Sequence, residues 1–208
     1  MIRPGRIAYT DAWALQTRLI DQRARGEIED TVIVCEHDPV YTVGRRRDAM
    51  ANVLAAGDVP VIEVERGGDV TWHGPGQVVV YPILLLEGAK RDLHAHMHRL
   101  EALMIDVCAD FGIDAGRDPR NTGAWVSGPD GSGRKIGSVG IACRRWVTWH
   151  GLALNVDPDL AYFERINPCG FQAGAGEAGI MTSMARVLGR RVQAEEVMGR
   201  VVARVEGW

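Results

Sequence analysis

The sequence predicts an α+β fold in one domain, and three observations support this prediction. Patterns typical of strands occur in clusters between well-separated helical patterns, whereas repeated βαβ units would alternate the two. The 208 residues, 46% of them hydrophobic and 25% charged, are enough for one large core in an ordinary globular protein. No internal repeat, low-complexity tract or linker divides the chain. We therefore expect residues 1–208 to form a single domain with a β-sheet flanked by helices.

The first predicted element is a helix at residues 10–26. Thr10 or Asp11 can cap it, and Gly26 ends its apolar pattern. Three segments rich in β-branched or apolar residues then predict strands, at residues 31–35, 60–65 and 76–86.

The clearest amphipathic helix is predicted at residues 92–112, with Asp92 as its cap and Gly112 at its end. Its apolar residues recur at steps of four and three: Leu93, Met97, Leu100, Met104, Val107 and Phe111. Strands of an antiparallel sheet follow at 123–126, 135–143 and 146–156, and a last helix with acidic residues in its first turn is predicted at 193–205.

The composition argues against several classes of protein. A net charge of −3 does not predict a nucleic-acid binder, which normally needs an excess of basic side chains. The chain has neither the apolar segment of a signal peptide near its N-terminus nor a run of membrane-spanning length, so we expect a cytoplasmic protein. Its four cysteines include no C-x-x-C pair and predict neither a disulfide scaffold nor a structural zinc site.

Cys169 stands between Pro168 and Gly170, unlike the other cysteines. Proline has a fixed φ and no amide hydrogen, and glycine lacks a Cβ, so a loop is predicted here. A thiol in such a loop is either a packed bystander or a reactive group, and the local sequence leaves both possible. The other three cysteines follow apolar residues and are expected in the core: Cys35, Cys108 and Cys143.

Lys135 is one of only two lysines among the 24 basic side chains. Lysine can lose its proton in a protein, which arginine does not do. Lys135 begins a predicted strand in which Ser138 and two glycines would leave room for a ligand. The alternative is a tightly packed strand with an exposed lysine at its end. Proximity to Cys169 would favour catalysis, because a nearby ammonium lowers the pKa of a thiol.

The glycine-rich stretch RGGDVTWHGPGQ at residues 66–77 lies between two predicted strands. Its glycines would let backbone amides approach a ligand, and Arg66 and His73 could hold a polar or anionic group. The stretch lacks the ending of a phosphate-binding loop and does not open a helix as a dinucleotide fingerprint does. A long hairpin loop with turn-forming glycines, in which His73 is a hydrogen-bonded turn residue, is the alternative explanation.

Two other clusters are interpreted as solvated surface. On the predicted helix His94 and His98 share a face, but His96 points elsewhere and no further ligand completes a metal site. No metal is therefore expected. The arginine run at residues 45–47 is most simply solvated surface; the alternative is a docking patch for an acidic carrier protein.

Four motifs resemble, in their order, those of the lipoyl(octanoyl) transferases: RGGDVTWHGPGQ at 66–77, KIGSVG at 135–140, HGLALNV at 150–156 and RINPCG at 165–170. The similarity runs from about residue 36 to residue 184. The clearest departure is Trp72, where the family more often has Tyr or Phe; this can alter the shape of a pocket but not the chemistry. The resemblance implies the α+β fold with a mixed sheet that biotin protein ligases and lipoate ligases share.

The resemblance also implies transfer of an octanoyl group from octanoyl acyl carrier protein to a lysine of a lipoyl domain. Cys169 would be the nucleophile that forms an octanoyl thioester, and Lys135 its partner. Passing an acyl group from thioester to thiolate to amine needs no ATP, so no cofactor is expected. The implied walls of the acyl pocket are Arg66, Gly67, Gly68, Asp69, Val70, Thr71, Trp72, His73, Ser138, Val139, Gly140, Gly151, Leu152 and Ala153.

The expected acceptors are lipoyl domains of 2-oxoacid dehydrogenase acyltransferases and the glycine cleavage H protein. The main alternative is an ATP-dependent lipoate or biotin protein ligase, which would form an acyl adenylate and would not need Cys169. A second alternative is a non-catalytic module that recognises lipoyl domains or acyl carriers. The oxyanion donors stay open, with Gly170 and the stretch 66–73 as candidates.

Overall fold

The computed structural model describes residues 1–128, 130–167 and 180–208, and its strands form two sheets. The strands are β1 (Ile2–Ile7), β2 (Thr31–His37), β3 (Val40–Val43), β4 (Val61–Glu63), β5 (Val70–His73), β6 (Gln77–Ile83), β7 (Ala115–Gly116), β8 (Gly123–Ser127), β9 (Gly133–Arg144) and β10 (Val147–Asn155). The α-helices are α1 (Tyr9–Ala24), α2 (Leu93–Asp110), α3 (Met184–Leu188) and α4 (Ala194–Val205), and 3₁₀ helices span Ala49–Asn52, Gly88–Lys90 and Leu160–Arg165.

The larger sheet has seven strands in the order β1-β2-β6-β10-β9-β8-β7. The pair β1 and β2 is parallel and the other neighbouring pairs are antiparallel, so the sheet is mixed, as the resemblance implied. The hairpin from β9 to β10 turns at Arg145 and Trp146, which both have positive φ, as a type I′ turn requires. This register places Gly140 opposite Gly151.

The smaller sheet has the order β4-β3-β5. Its strand β5 lies inside the glycine-rich stretch, so the alternative explanation of a long hairpin loop is wrong for residues 70–73. Val70 and Trp72 of β5 are each 1% exposed and pack in one cluster with Tyr41 and Val43 of β3. Burial of these alternate side chains stabilises a strand that the surrounding glycines conceal from sequence patterns.

Helices cover both faces of the larger sheet. Leu100 of α2 and Val201 of α4 pack in one core cluster with Val80, whereas Ile20 of α1 packs in another with Val79. Because successive residues of a strand point to opposite faces, α1 lies across the sheet from α2 and α4. Among the helices of the described residues we find none with the length and apolar character of a membrane span.

The predicted helices are confirmed to within a few residues. The side chain of Asp92 caps α2, because Oδ1 accepts hydrogen bonds from the amides two and three residues later at 2.8 and 3.0 Å. The cap of α1 differs from the prediction. That helix begins at Tyr9, so the expected caps Thr10 and Asp11 lie inside its first turn.

Three further strands were not predicted, namely β1, β3 and β7. β1 contains a proline and a glycine, and β7 has only two residues. β1 and β3 pair with strands distant in sequence, which local patterns do not report, whereas β7 pairs with the next strand, β8.

Candidate active site

A cavity of about 230 Å³ opens between the glycine-rich stretch and strands β9 and β10. Its walls include Lys135 and every residue of the predicted stretches 66–73, 138–140 and 151–153 except Trp72. Pairing of β9 with β10 joins two of these stretches, and the amide of Gly67 joins the third by donating to the carbonyl of Ile141 at 2.9 Å. The fold thus brings together segments far apart in sequence, while their role as an acyl pocket stays a prediction.

Two facing glycines let other parts of the chain approach β9 and β10. A Cβ on Gly140 would lie 3.0 Å from Cδ of Arg66, whereas a Cβ on Gly151 would lie 2.1 Å from the carbonyl oxygen of Val80. Glycine at 140 therefore makes room for Arg66 in the cavity wall. Glycine at 151 is needed for β10 to lie beside β6.

Lys135 lies in the cavity wall with 2% of its surface exposed. Its Nζ donates a hydrogen bond to Oδ1 of Asn121 and lies 5.6 Å from the ring centroid of Trp125. Its amide donates to the carbonyl of Ile180 at 2.6 Å, and its carbonyl accepts from the amide of Thr182 at 2.9 Å. The alternative of an exposed lysine at a strand end is therefore wrong.

Cys169, the predicted nucleophile, lies outside the described residues. Before it in the chain, the amide of Asn167 donates to the carbonyl of Asn52 at 2.8 Å. Nδ2 of Asn52 in turn donates to both carboxylate oxygens of Asp69, a residue of the cavity wall, at 2.9 and 2.8 Å. After it, the described chain resumes at Ile180, whose carbonyl accepts the hydrogen bond from the amide of Lys135. The described flank after Cys169 thus contacts Lys135 of the cavity wall directly, whereas the flank before it reaches the wall through Asn52.

Two of the other cysteines are placed as predicted for core residues, because Cys35 and Cys108 are fully buried. Cys143 is only partly buried and lies outside the core, so its prediction is corrected. Burial raises the pKa of the thiols of Cys35 and Cys108 to about 12. These two thiols are protonated at neutral pH and are poorly suited to nucleophilic attack.

A chain of buried hydrogen bonds runs behind the cavity wall from Arg66. Its Nη2 donates to the carbonyl oxygen and Oγ1 of Thr42 at 2.7 and 2.9 Å. At the other end Nε2 of Gln77 donates to Oδ1 of Asn155 at 2.8 Å. Oε1 of Gln77 therefore accepts the proton on Nδ1 of His73, 2.7 Å away, and Nε2 of His73 accepts from the hydroxyl of Thr42 at 3.4 Å.

This chain of bonds continues to the neighbourhood of Lys135. Nδ2 of Asn155 donates to the carbonyl of Thr182 at 3.0 Å, and the amide of Thr182 is bonded to Lys135. Hydrogen bonds between buried groups restrict the arrangements that those groups can adopt. Arg66 and Lys135, on different sides of the cavity, are thereby positioned relative to each other.

His73 is neutral in these surroundings. Burial, and then the proximity of His37 and Arg66, hold its pKa well below the usual range. Both of its ring nitrogens are engaged with protein groups, which favours the interpretation of a hydrogen-bonded structural histidine. A direct role in orienting substrate stays a prediction.

His150 lines the cavity but was not among the predicted site residues. It is 2% exposed, and neither ring nitrogen has a hydrogen-bond partner among the described residues. Its Nε2 lies 4.0 Å from Oε2 of Glu65. Burial, and then the charge of Arg66, lower the pKa of His150 to about 3, so the ring is neutral. It offers one donor and one acceptor to a polar group in the cavity.

Other wall residues were also missed by sequence reasoning. They come from α1, β6, α2 and the segment before β8, and they include Tyr9, Val79, Tyr81, Met97, Asn121 and Thr122. Each looks like an ordinary core or turn residue in its own segment. Of this group only Asn121 and Thr122 carried a usable signal, as two polar residues directly before a predicted strand.

Trp72 does not line the cavity. Its ring is 1% exposed, stacks on Tyr162 with centroids 4.8 Å apart, and meets Phe163 edge-on at 5.6 Å. Gly74 makes room for it, because a Cβ there would lie 2.0 Å from the indole. The aromatic side chain at 72 packs behind β5, so its exchange for Tyr or Phe would act on the cavity only indirectly.

The three histidines of α2 are divided between surface and core. His94 and His98 are exposed, and Nδ1 of His98 lies 2.9 Å from Oε2 of Glu101, whereas His96 is 5% exposed. Across residues 1–128, 130–167 and 180–208, no group of three or more His, Cys, Asp or Glu side chains is arranged to hold a metal ion.

Comparison with known proteins places this geometry in a family. Residues 8–206 match the lipoyl protein ligase A/B catalytic domain. The chain is 43% identical over 201 residues to an octanoyltransferase of Acidothermus cellulolyticus, covering 97% of this chain and 87% of that protein. It is 44% identical over 199 residues to an octanoyltransferase of Geobacter sulfurreducens, covering 96% of this chain and 80% of the relative.

Solved structures share the fold at low sequence identity. A bipartite lipoate protein ligase from Thermoplasma acidophilum superposes with a TM-score of 0.67 at 13% identity, covering 98% of this chain and 82% of that one. The biotin protein ligase of Aquifex aeolicus superposes with a TM-score of 0.53 at 11% identity, covering 99% and 66%. The predicted fold, a mixed-sheet α+β domain of this kind, is confirmed. The chain belongs to the lipoyl protein ligase A/B catalytic domain family, as one of its octanoyltransferases, the acyltransferases that transfer an octanoyl group in protein lipoylation.

Proposed function

We propose that this octanoyltransferase takes its acyl group from octanoyl acyl carrier protein and passes it through a thioester on Cys169 to a lysine of a lipoyl domain. Acceptors would be the lipoyl domains of 2-oxoacid dehydrogenase acyltransferases and the glycine cleavage H protein, in the cytoplasm. No ATP is consumed. The observation that carries the proposal is the buried Lys135, which is bonded to Asn121 in the cavity wall and is paired with residues 180–182, the described chain that follows Cys169.

In the first half-reaction Lys135 accepts the proton of the Cys169 thiol, and the sulfur attacks the thioester carbonyl carbon of the donor. The bond from that carbon to the carrier's sulfur breaks, and the departing thiolate takes up the proton. The acyl group is then held as a thioester on Cys169. This exchange of one thioester for another is nearly isoenergetic, so it needs no external energy source.

In the second half-reaction the amine of the acceptor lysine attacks the Cys169 thioester. The new amide bond forms, the bond to the Cys169 sulfur breaks, and Lys135 accepts the proton lost by the attacking nitrogen. Amide formation from a thioester is strongly downhill. A lysine suits this role better than arginine, because arginine does not give up its proton in proteins.

The oxyanion of each half-reaction needs hydrogen-bond donors, and two amides of the glycine-rich stretch are already engaged. The amide of Gly67 donates to Ile141, and that of Val70 donates to Oδ1 of Asp69 at 2.7 Å. Neither suits the role unless its present bond breaks. The remaining candidates in that stretch, and Gly170 outside the described residues, stay open.

An ATP-dependent ligase is the enzymatic alternative, because lipoate and biotin protein ligases share this fold. Identity to those solved structures is only 11–13%, whereas identity to octanoyltransferases reaches 43–44%. A non-catalytic module is disfavoured by the same relatives, and it would also tolerate loss of Cys169.

Intact-protein mass spectrometry tests the proposal. Wild type and Cys169→Ser are incubated with octanoyl acyl carrier protein without ATP. We expect an octanoyl adduct on wild type that hydroxylamine removes and that is absent from the variant. Absence of the adduct, with a lipoyl domain modified only when ATP and free octanoate are supplied, would assign the chain to the ligases instead.

A further inference from the structure

The segment that leads away from the cavity rim carries an unusual surface, which we call the Arg45–Leu54 surface. It begins with three consecutive exposed arginines, at residues 45–47, although the chain as a whole has a net charge of −3. Two large apolar side chains follow, Met50 at 46% and Leu54 at 52% exposure. Asp48 is the one acidic residue between positions 45 and 54.

Backbone hydrogen bonds place this surface at the edge of the active-site cavity. The amide of Arg45 donates to the carbonyl of Arg66 at 3.0 Å. The amide of Arg46 donates to the carbonyl of Gly68, also at 3.0 Å. Nη1 of Arg46 lies 3.3 Å from Oδ2 of Asp69, and Arg46 itself lines the cavity. A partner bound here would lie beside the cavity wall.

The surface is also held against the chain that precedes Cys169. The amide of Leu54 donates to the carbonyl of Arg165 at 3.0 Å, and Val53 forms a bridge with Ile166. Through Asn52, the same segment is bonded to Asp69 in the cavity wall. The exposed side chains are therefore presented on a backbone with fixed connections to both sides of the site.

The charges of the surface indicate that its partner is anionic. Among the described residues, Arg45 and Arg47 have no carboxylate within ion-pairing distance, so both are available to an anionic partner. The donor of the proposed function is an acidic carrier whose acyl group hangs from an arm with an anionic phosphodiester, and this arm must pass the cavity rim to reach the site. Arginine pairs well with both carboxylates and phosphates.

We propose that the Arg45–Leu54 surface is the docking site of the acyl-carrying donor protein. Arg45 and Arg47 pair with its acidic side chains and the phosphodiester of its arm, and Met50 and Leu54 supply apolar contact. This inference rests on the proposed function, because it assumes an acyl carrier protein as donor. Surface charges of this kind raise association rates by roughly 10- to 1000-fold, and the effect weakens with salt.

The test compares two double variants in steady-state kinetics of octanoyl transfer to a lipoyl domain. Arg45→Glu/Arg47→Glu reverses the proposed contacts. Arg18→Glu/Arg200→Glu makes the same charge change at exposed arginines of α1 and α4. Because a thioester intermediate gives ping-pong kinetics, kcat/KM is obtained separately for donor and acceptor.

We expect Arg45→Glu/Arg47→Glu to lower kcat/KM for octanoyl acyl carrier protein by about 10-fold or more at low ionic strength, with a smaller effect at high salt. Its kcat/KM for the lipoyl domain should stay within about 2-fold of wild type, as should both constants of the control variant. An unchanged acceptor constant also shows that the variant is folded.

Three results would overturn the inference. They are an unchanged constant for the carrier, an equal loss for both substrates, and a loss confined to the lipoyl domain, which would assign the surface to the acceptor. Failure of the proposed function looks different, since wild type itself would then accept no octanoyl group from the carrier.

Discussion

At the scale of single residues, the proposed chemistry of the site depends most on Lys135 and its surroundings. The side chain is buried, bonded to Asn121 and placed over the edge of the cavity near Trp125. Its position in the cavity wall is the one that the proposed proton transfer requires.

Lys135→Arg should affect the two half-reactions unequally. In the proposed mechanism, arginine at position 135 would still supply a positive charge to stabilise the Cys169 thiolate, but it could not readily accept the proton of the attacking amine. We expect aminolysis of the octanoyl enzyme to slow by about 100-fold or more, and formation of the octanoyl enzyme by less than about 10-fold. Rapid-quench measurement of each half-reaction checks this.

The matched variant for this comparison is Lys90→Arg, which alters the chain's other lysine, an exposed residue. It should leave both half-reactions unchanged. Equal losses in the two half-reactions of Lys135→Arg would contradict a role for Lys135 as the base of the second step.

At the scale of elements, the β9–β10 pair determines whether a cavity exists. On these strands, Gly140 lets Arg66 and the carbonyl of Gly67 approach the sheet, and Gly151 lets β10 lie close to β6. The requirement differs between positions. At Gly140 a Cβ would meet a flexible side chain, whereas at Gly151 it would meet backbone of β6.

Gly151→Ala should therefore destabilise the protein. The added Cβ would lie 2.1 Å from the carbonyl oxygen of Val80 and 2.7 Å from Cδ of Pro82, so β10 and β6 must separate. Overpacking of this kind costs about 1–3 kcal/mol. The free energy of unfolding in urea, measured by circular dichroism, gives the cost.

A glycine in open surroundings provides the control. Gly199 lies in α4 with no atom within 4 Å of an added Cβ, so Gly199→Ala should stabilise the protein by about 0.5–1 kcal/mol. If Gly151→Ala were as stable as wild type, the close pairing of β10 with β6 at this point would be wrong.

At the scale of the whole molecule, the core contains several neutral histidines. Burial lowers the pKa of His37 and of His96 to about 4 and that of His150 to about 3. In the unfolded chain these side chains take up protons below about pH 6.5. Because the unfolded state then binds more protons than the folded state, stability falls as the pH falls from about 6.5 toward these lower values.

His96→Leu should make this acid sensitivity weaker. His96 is buried outside the cavity, and its Nε2 has no partner among the described residues, so leucine loses no hydrogen bond there. The variant removes one group whose folded pKa is depressed. Between pH 7 and pH 5 its free energy of unfolding should fall by about 1–2 kcal/mol less than that of wild type.

Urea unfolding at the two pH values measures this difference. The control is Ala95→Leu, which places the same apolar side chain at an exposed position of the same helix and removes no titratable group. It should keep the wild-type pH dependence. A His96→Leu variant with the wild-type pH dependence as well would show that His96 is protonated in the folded protein.

The fold class, the long helices and most strands of the larger sheet could be predicted from the sequence. The helix at α2 was predictable because its apolar spacing, its cap at Asp92 and its ending at Gly112 all agree. The family motifs also identified three of the cavity walls and Lys135. Each of these features depends on residues close together in the chain, so the spacing of those residues is enough to predict it.

Which residues meet at the cavity follows from long-range contacts in the folded chain, and local sequence patterns do not predict it. Strand β5 forms because Val70 and Trp72 are buried against distant residues, and His150 and Asn121 enter the wall through sheet pairing and a turn. The burial of Lys135, too, follows from its pairing with residues 180–182 and not from its local sequence. Contacts between residues far apart in the chain depend on how all elements pack together, and periodicity within one segment does not encode them.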